Sequence, residues 1–337
     1  MFGGLVNIKR CDMKKTITII SPAYNEQDGI VSFLSCIDKI AFQLKNQFDI
    51  HVAVLNDGSR DSTSAIANNY CAQYFDLTVC NFTRNFGKEA AIVAGIERYR
   101  SDAYIIMDTD LQHPPELIPE MLALWQQGYK VIESVKIYRG KESLVYKLFS
   151  KLFYKSLHIL SSLQLENHSD FKLLDNEIAE VIRQLPERHR FFRGIVEWLG
   201  YPSKQIPFHV PSRKNDSSSW SIWELSKYSI NNISSFTSAP LHLVTLIGFL
   251  MLIVSGVLGS VAFYQWVVGV AVTGFTTVIL LLLFIGSVLM VSLGLIGLYL
   301  SRIYDEIKAR PLYIIKDEIR HRANTKSNGT TKLTVSG

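Results

Sequence analysis

Two aspartates one residue apart, Asp108 and Asp110, are the residues of this chain best suited to chemistry. They follow the apolar run from Ala103 to Met107, so both carboxylates are expected where a buried strand ends. Hard divalent cations prefer oxygen ligands, and they often join protein carboxylates to the phosphates of a substrate. The pair therefore predicts a divalent metal site that holds a diphosphate. A simple turn or a helix cap is the alternative for such a pair.

A parallel sheet is the element that should position these carboxylates. Over about the first 135 residues, short apolar runs alternate with helical patterns, which is typical of an α/β sheet covered on both faces. Ligands of such sheets bind at the carboxyl ends of the strands, where polar clusters at 22–26, 56–59 and 108–112 are expected to converge. The predicted strands are 16–20, 50–55, 77–81, 103–107 and 130–134, with a later one at 204–210.

Two common phosphate-binding motifs are missing from the sequence. No GxGxxG follows any predicted strand, which argues against a dinucleotide-binding Rossmann site. No GxxxxGK[ST] occurs either, which argues against a P-loop nucleotidase. The expected phosphate site therefore depends on the acidic pair.

The last third of the chain is built from two long apolar stretches. No Asp, Glu, Lys or Arg occurs from Tyr228 to Ser301. The stretches 241–264 and 275–300 each exceed the ~20 residues that cross a hydrocarbon core, and the short connection between them predicts a transmembrane hairpin. A pair of buried core helices is the alternative.

Charge predicts the orientation of this hairpin. The net charge of the 337-residue chain is +5, and residues 301–337 hold eight Lys or Arg and four Asp or Glu, which gives 8 − 4 = +4. Basic residues beside a span favour the cytoplasmic side, so both termini are expected in the cytoplasm and the protein in the inner membrane. The tail from about Ala323 is polar and expected to be disordered. Nothing resembles a nucleic-acid module, so no nucleic-acid partner is expected.

An amphipathic segment precedes the first apolar stretch. Residues 220–236 place Trp and Tyr around an apolar stripe, which predicts a helix lying at the membrane interface. Packing of this helix on the soluble part of the chain is the alternative. Small residues in the first span, Ser255 with Gly259 and Gly256 with Ser260, fit close helix packing in a homo-oligomer or generic membrane content.

Six motifs in a fixed order point to one family. They read TIISPAYNE, NDGSRDST, RNFGKEAA, MDTDLQHPPE, SDFKLLD and RFFRG, at residues 18–26, 56–63, 84–91, 107–116, 169–175 and 190–194. Together they resemble the GT-A glycosyltransferases of family 2, in particular the polyprenyl-phosphate glycosyltransferases typified by dolichol-phosphate mannose synthase and bactoprenol glucosyltransferases. The resemblance covers roughly residues 16–310.

The resemblance implies a division of the chain into four parts. A cytoplasmic GT-A catalytic domain, a Rossmann-like and mostly parallel sheet with flanking helices, is expected at 1–212. An acceptor loop with the interfacial helix is expected at 213–237, two transmembrane helices at 238–301, and a basic cytoplasmic tail at 302–337.

The resemblance also implies roles for individual residues. Asp57 is expected to contact the nucleobase, in a nucleotide pocket that also includes Pro22, Tyr24, Glu26, Lys88 and Asp108. The metal and diphosphate set is Asp108, Asp110 and Gln112, and Asp170 is the active-site acid near the sugar. The phosphates of donor or acceptor are assigned to Arg139, Arg190, Arg193 and Arg213, with Lys136 and Lys147 as weaker candidates.

Each of these assignments has a structural alternative. Asp57 with Gly58 could serve only as a turn, and Asp170 could cap a helix. Arg188, Arg190 and Arg193 could simply form a solvent-exposed surface. Where the family commonly has Asp in LQDPPE, this chain has His113, which the sequence places just outside the metal pair. The family's lysine in Ser-Lys-Tyr-Ser is missing at 218–221, with Arg213 or Lys214 as candidate substitutes.

The resemblance implies transfer of one sugar to a polyprenyl phosphate with inversion at the anomeric carbon. Glucose from UDP-glucose to undecaprenyl phosphate, with Mg²⁺ or Mn²⁺, is the first expectation, and GDP-mannose or an amino-arabinose donor is left open. A processive polysaccharide synthase is less expected, because its Gln-x-x-Arg-Trp signature is missing from the sequence. A non-catalytic membrane scaffold would not need the acidic pair.

Overall fold

The computed structural model describes residues 14–138, 168–187, 190–209, 239–269, 274–324 and 330–333. The chain divides into two compact units, one formed by 1–150, 164–217 and 311–337 and the other by 151–163 and 218–310. The predicted interfacial helix at 220–236 lies outside the described residues.

Strands and helices alternate over about the first 135 residues, as the sequence predicts. The strands are β1 (Lys15–Ala23), β2 (Phe48–Asn56), β3 (Asp76–Phe82), β4 (Ala103–Ile106), β5 (Val131–Tyr138), β6 (His168–Asp175), β7 (Ser203–His209), β8 (Ile315–His321) and β9 (Thr330–Leu333). The helices of this unit are α1 (Ile30–Leu44), α2 (Thr63–Asn68), α3 (Lys88–Arg98), α4 (Ile118–Gln126), α5 (Asn176–Gln184) and α6 (Phe192–Trp198). A 3-10 turn, Pro115–Leu117, precedes α4.

The described strands form one sheet in the order β7-β5-β6-β4-β1-β2-β3-β8-β9. The central strands β4, β1, β2 and β3 are parallel to their neighbours within that group, and their side chains are buried because helices cover both faces. Gly95 lets α3 approach the sheet closely, since a Cβ at that position would lie 2.5 Å from Ile20. The predicted α/β sheet with flanking helices is confirmed, and the strands added at its sides are partly antiparallel.

Asp170 lies in a strand and not at a helix cap. β6 runs antiparallel to β4 on one side and to β5 on the other, and Asp170 is near its beginning. The cap of α5 is Asp175, whose side chain accepts a hydrogen bond from the backbone N–H of Glu177 at 2.9 Å. The helix-cap alternative for Asp170 is therefore wrong, and this residue is held beside the end of β4.

The segment after the second apolar helix returns to the sheet. β8 pairs antiparallel with β3, and β9 pairs antiparallel with β8, so two strands of the sheet lie in the predicted basic tail. One of them, β9 at Thr330–Leu333, is a strand where the sequence predicts disorder. The burial pattern of β8 is irregular, with Glu318 buried and paired with Arg98 at 2.6 Å. β8 lies between β3 and β9 in the sheet, and its charged, partly exposed residues carry little hydrophobic signal in the sequence.

The described part of the second unit consists mainly of two long apolar helices. They are α7 (Ala239–Val267) and α8 (Phe275–Lys308). Their candidate spans, Val244–Gln265 and Phe284–Lys308, are 22 and 25 residues long. The described side chains in the most apolar stretch of each span are not buried. At 1.5 Å per residue the shorter span covers about 33 Å, slightly more than a hydrocarbon core of ~30 Å. The length and composition of both helices therefore suit membrane spans.

A buried ion pair joins β5 to β6. Lys172 donates to Glu133, and both side chains are at most 1% exposed. We expect Lys172→Met to lower the free energy of unfolding by about 3–5 kcal/mol, because it leaves the Glu133 carboxylate without its cation in an apolar interior. Urea unfolding of the full chain in detergent, followed by tryptophan fluorescence, measures this change.

The double variant Lys172→Met/Glu133→Leu is the matched control for this pair. Removing both charges should recover much of the lost stability, because neither partner is then buried without compensation. A single variant as stable as the parent would contradict the expectation.

Candidate active site

An open cavity of about 330 Å³ lies where β1, β2 and β4 end. Its volume falls within the range of about 300–1,000 Å³ typical of small-molecule sites. The three polar clusters predicted to converge do so here, because parallel strands end at the same edge of the sheet. The predicted residues that line the cavity are Pro22, Tyr24, Glu26, Asp57, Lys88, Asp108 and Asp110.

A strained turn presents the two aspartates. Met107 donates its N–H to Ile20 as β4 ends, and Leu111 then adopts a φ of +55°, a conformation that is uncommon for a non-glycine residue. Backbone strain of this kind tends to occur at functional sites. The N–H of Gln112 donates to Asp110 Oδ1 at 3.1 Å, so Gln112 supports the turn through its backbone. Its side chain as a metal ligand stays a prediction.

The turn also brings in a histidine that the sequence analysis placed outside the metal pair. Ligand atoms of Asp108, Asp110 and His113 all lie within 4.8 Å of one another. The Nδ1 atom of His113 is 4.0 Å from Asp108 Oδ2. A turn with a left-handed residue folds the chain back, so a residue several positions later in the sequence approaches the pair.

Lysine and arginine side chains hold the carboxylates of this site in place. The Nζ atom of Lys88 lies 2.6 Å from Asp108 and 2.6 Å from Asp170, so it bridges the ends of β4 and β6. Arg193 donates to both oxygens of Asp170, with Nη2 at 2.7 Å from Oδ2. The predicted residues Lys88, Asp108, Asp170 and Arg193 therefore form one ionic cluster.

The protonation states within this cluster follow from its pairing. Burial alone would raise the pKa of Asp170, but the hydrogen bonds from Arg193 and the charge of Lys88 outweigh burial and hold that pKa well below its usual range. Burial likewise opposes the charge on Lys88, but Asp170 and Asp108 raise its pKa. Asp170 is thus a carboxylate at neutral pH and a weak proton acceptor, which fits a positioning role.

Glu89, next to Lys88 in α3, is an acidic group that the sequence analysis did not single out. Burial and the nearby charge of Asp170 raise its pKa from 4.5 to about 7, although the N–H of Phe192 donates to it at 2.8 Å. The raised pKa of Glu89 could not be predicted from the sequence, because it depends on how the side chain is buried against α6.

Asp57 fixes the loop that leads into α3. Its two carboxylate oxygens accept hydrogen bonds from the N–H groups of Phe86 at 2.7 Å and Gly87 at 2.8 Å. Gly58, with φ +67°, lets this loop approach, since a Cβ there would lie 2.7 Å from the backbone N of Asn85. Asp57 therefore does more than form a turn, and its contact with a nucleobase stays a prediction.

A series of side-chain hydrogen bonds connects the residues beside the cavity to strand β8. Asn56 donates to Asn81 Oδ1 at 2.7 Å, and Asn81 donates to Asp317 on β8 at 2.5 Å. Ser59 donates to Asn56 Oδ1 at 2.5 Å and accepts from the N–H of Asn25 at 2.9 Å. No local sequence pattern indicates this connection, because Asp317 is 236 residues away from Asn81.

The structure does not bring all of the predicted phosphate ligands to the cavity. The guanidinium of Arg190 donates to Glu97 at 3.1 Å and to the carbonyls of Glu187 and Leu185 at 2.8 and 2.7 Å, and its side chain is only 7% exposed. These partners give Arg190 a structural role among the described residues of this loop. The remaining candidates, Arg139, Lys147, Arg213 and Lys214, lie outside the described residues, as does the side chain of Lys136.

The raised pKa of Glu89 predicts a pH dependence of stability. Between about 4.5 and about 7 the unfolded chain releases this proton while the folded chain keeps it, so the free energy of unfolding should fall as pH rises through this range and level off above it. In Glu89→Gln this contribution disappears. The difference between the two proteins, measured by urea unfolding from pH 4.5 to 8, isolates the effect.

Glu120→Gln, which alters an exposed carboxylate on α4, is the control for this measurement. Its stability should follow the parent curve at every pH. Parallel curves for the parent and Glu89→Gln would contradict the assignment of the shift to Glu89.

Comparison with known proteins identifies the family. Residues 18–183 match the family model for glycosyl transferase family 2. The prophage-derived bactoprenol glucosyl transferase of Shigella flexneri is 33% identical over 310 residues, which are 91% of this chain and 99% of that protein. An uncharacterized glycosyltransferase of Synechocystis is 34% identical over 303 residues, which are 89% of this chain and 95% of that protein.

Among solved structures, glucosyl-3-phosphoglycerate synthase from Mycobacterium tuberculosis in complex with Mn²⁺ and UDP-glucose overlaps partially, with a TM-score of 0.43 and 20% identity over 64% of this chain and 76% of that one. The curated relatives, in contrast, extend over almost the entire chain. The protein is therefore a glycosyltransferase that belongs to glycosyl transferase family 2, in the group that includes the bactoprenol glucosyl transferases.

Proposed function

We propose that the protein transfers a single sugar, glucose from UDP-glucose, to undecaprenyl phosphate at the cytoplasmic face of the membrane. The observation that carries this proposal is the acidic pair, Asp108 and Asp110, in a cavity beside the cluster of Lys88, Asp170 and Arg193. Relatives named bactoprenol glucosyl transferases cover 98% or more of their own length in the comparison, which supports the lipid acceptor.

The donor side of the site fits a divalent metal ion. Asp108 and Asp110 offer hard oxygen ligands close together, and the ammonium of Lys88 at 2.6 Å shows that Asp108 already accepts a cation. A bound Mg²⁺ or Mn²⁺ would supply charge neutralisation for the departing nucleoside diphosphate. The two aspartates would hold it, while Asp57 and the wall formed by Pro22, Tyr24 and Glu26 would hold the nucleoside.

The acceptor side needs no strong protein base. The phosphate monoester of the lipid has a second pKa of about 6, so it is largely ionised at neutral pH. Its oxygen can attack the anomeric carbon directly, and attack from the face opposite the leaving group inverts that centre. Asp170, which is ionised and fixed by Lys88 and Arg193, positions the reacting groups and does not need to take up a proton.

The two apolar helices supply the proposed membrane anchor. α7 and α8 would cross the inner membrane as a hairpin, which returns the chain to the side it left and leaves both termini in the cytoplasm. The return of the chain as β8 supports this arrangement, because residues 315–321 pair with a strand that precedes the hairpin. Small residues in the first span would allow a homo-oligomer, and this also stays a proposal.

Transfer of radiolabel tests the function. Membranes containing the full chain, supplied with undecaprenyl phosphate and UDP-[¹⁴C]glucose, should form an organic-extractable labelled lipid. EDTA should abolish the product, and excess Mg²⁺ or Mn²⁺ should restore it. Label from GDP-[¹⁴C]mannose alone would favour a mannosyltransferase instead. Product that is insensitive to EDTA, or no product from any donor, would contradict the proposal.

Asp110→Asn tests the metal assignment within this function. We expect a loss of turnover of about 10²–10³-fold or more, because the variant keeps the shape of the side chain but removes a charge that binds the cation. The melting temperature should stay close to that of the parent, since Asp110 is exposed. Glu120→Gln serves as the control and should keep full activity. Parental turnover in Asp110→Asn would refute the assignment.

A further inference from the structure

The ring of His113 is buried although the residue follows the exposed Asp110 by only three positions. It is only 5% exposed and is packed between Phe171 and Phe208, with ring centroids 5.7 and 5.6 Å away. These phenylalanines belong to β6 and β7, so three parts of the sheet define where the imidazole lies. Packing of this kind fixes a ligand before an ion binds and reduces the reorganisation needed for binding.

The distances of this group are close to those of one coordination sphere. Ligand atoms on an ion at about 2.1 Å lie between roughly 3 Å and 4.2 Å apart, depending on whether they are adjacent or opposite. The candidate atoms of Asp108, Asp110 and His113 lie within 4.8 Å of one another, and His113 Nδ1 lies 4.0 Å from Asp108 Oδ2. The upper bound of 4.8 Å exceeds this range by about 0.6 Å, so the ligand atoms would have to move closer by at most about that amount to share one ion.

We propose that His113 is an additional protein ligand of the metal ion, so that an imidazole nitrogen joins the carboxylate oxygens of Asp108 and Asp110. This inference rests on the proposed function, because it concerns the ion that the donor diphosphate would share. The site would then differ from an all-oxygen site in one donor atom.

The nitrogen ligand changes which ion the site prefers. Carboxylate and carbonyl oxygens suit Mg²⁺, whereas imidazole favours ions later in the first transition series. A site with His113 should therefore bind Mn²⁺ or Co²⁺ more tightly relative to Mg²⁺ than a site with three oxygen ligands does. We expect His113→Asp to reduce the ratio of Mn²⁺ to Mg²⁺ affinity about tenfold.

Electron spin-echo spectroscopy of bound Mn²⁺ tests the inference without measuring activity. The full chain in detergent, grown with ¹⁵N-labelled histidine, is mixed with Mn²⁺ and UDP. Coupling of Mn²⁺ to ³¹P reports that the ion contacts the diphosphate, and coupling to ¹⁵N reports a histidine ligand. We expect both couplings in the parent protein, and only the ³¹P coupling in His113→Gln.

The two couplings separate the possible failures. A ³¹P coupling without a ¹⁵N coupling in the parent would overturn His113 as a ligand and leave the proposed function intact. If Mn²⁺ shows neither coupling in the presence of UDP, the metal-dependent function fails and the ligand assignment fails with it. A ¹⁵N coupling that persists in His113→Gln would assign the nitrogen to another histidine and would also overturn the inference.

Two further variants guard against misfolding of the altered site. His113→Asp replaces the imidazole nitrogen with a carboxylate oxygen, and His321→Gln alters a histidine on β8 at the other end of the parallel strands. The second variant should keep both couplings and the parental Mn²⁺ preference. Loss of the Mn²⁺ preference in His321→Gln as well would show that the effect is not specific to His113 and would contradict the proposal.

Discussion

Mutual repulsion between carboxylates is the constraint on which this site depends. Asp108, Asp110 and Asp170 converge at one edge of the sheet, and two unit charges 4 Å apart repel by about 4 kcal/mol at an effective dielectric constant of 20. Lys88 relieves this repulsion by bridging Asp108 and Asp170, and Arg193 adds a second cation. Asp170 thus stays ionised, and Lys88 holds it next to Asp108.

The position of Lys88 depends in turn on the loop before α3. Asp57 accepts hydrogen bonds from the N–H groups of Phe86 and Gly87, and α3 begins with Lys88 directly after this loop. Asp57 therefore holds the loop from which α3 and its first residue, Lys88, begin. A change at Asp57 would disturb this loop and, through Lys88, the ionic cluster with Asp108 and Asp170.

Much of the central architecture could be predicted from the sequence, because buried parallel strands leave continuous apolar runs and their ends carry the polar motifs. The strands on either side of this central group were harder to predict. β6 begins with polar residues around Asp170, and β8 alternates charged with half-buried residues, so neither has a strong hydrophobic pattern. β8 is also separated from its partner β3 by the two apolar helices, and no local pattern reveals pairing over that distance.

The sequence motifs predicted many of the residues that lie at the site, but they did not predict which charged side chains pair with each other. Arg190 was expected at a phosphate, yet its partner Glu97 lies 93 residues away and engages it outside the cavity. Among the described residues, the cations that border the proposed reaction centre are therefore Lys88 and Arg193, and both already balance carboxylates. Phosphate binding must compete with these pairs. An ion held by Asp108 would release Lys88 from that carboxylate, so metal loading and the capture of phosphate oxygens by Lys88 would be coupled through a single side chain.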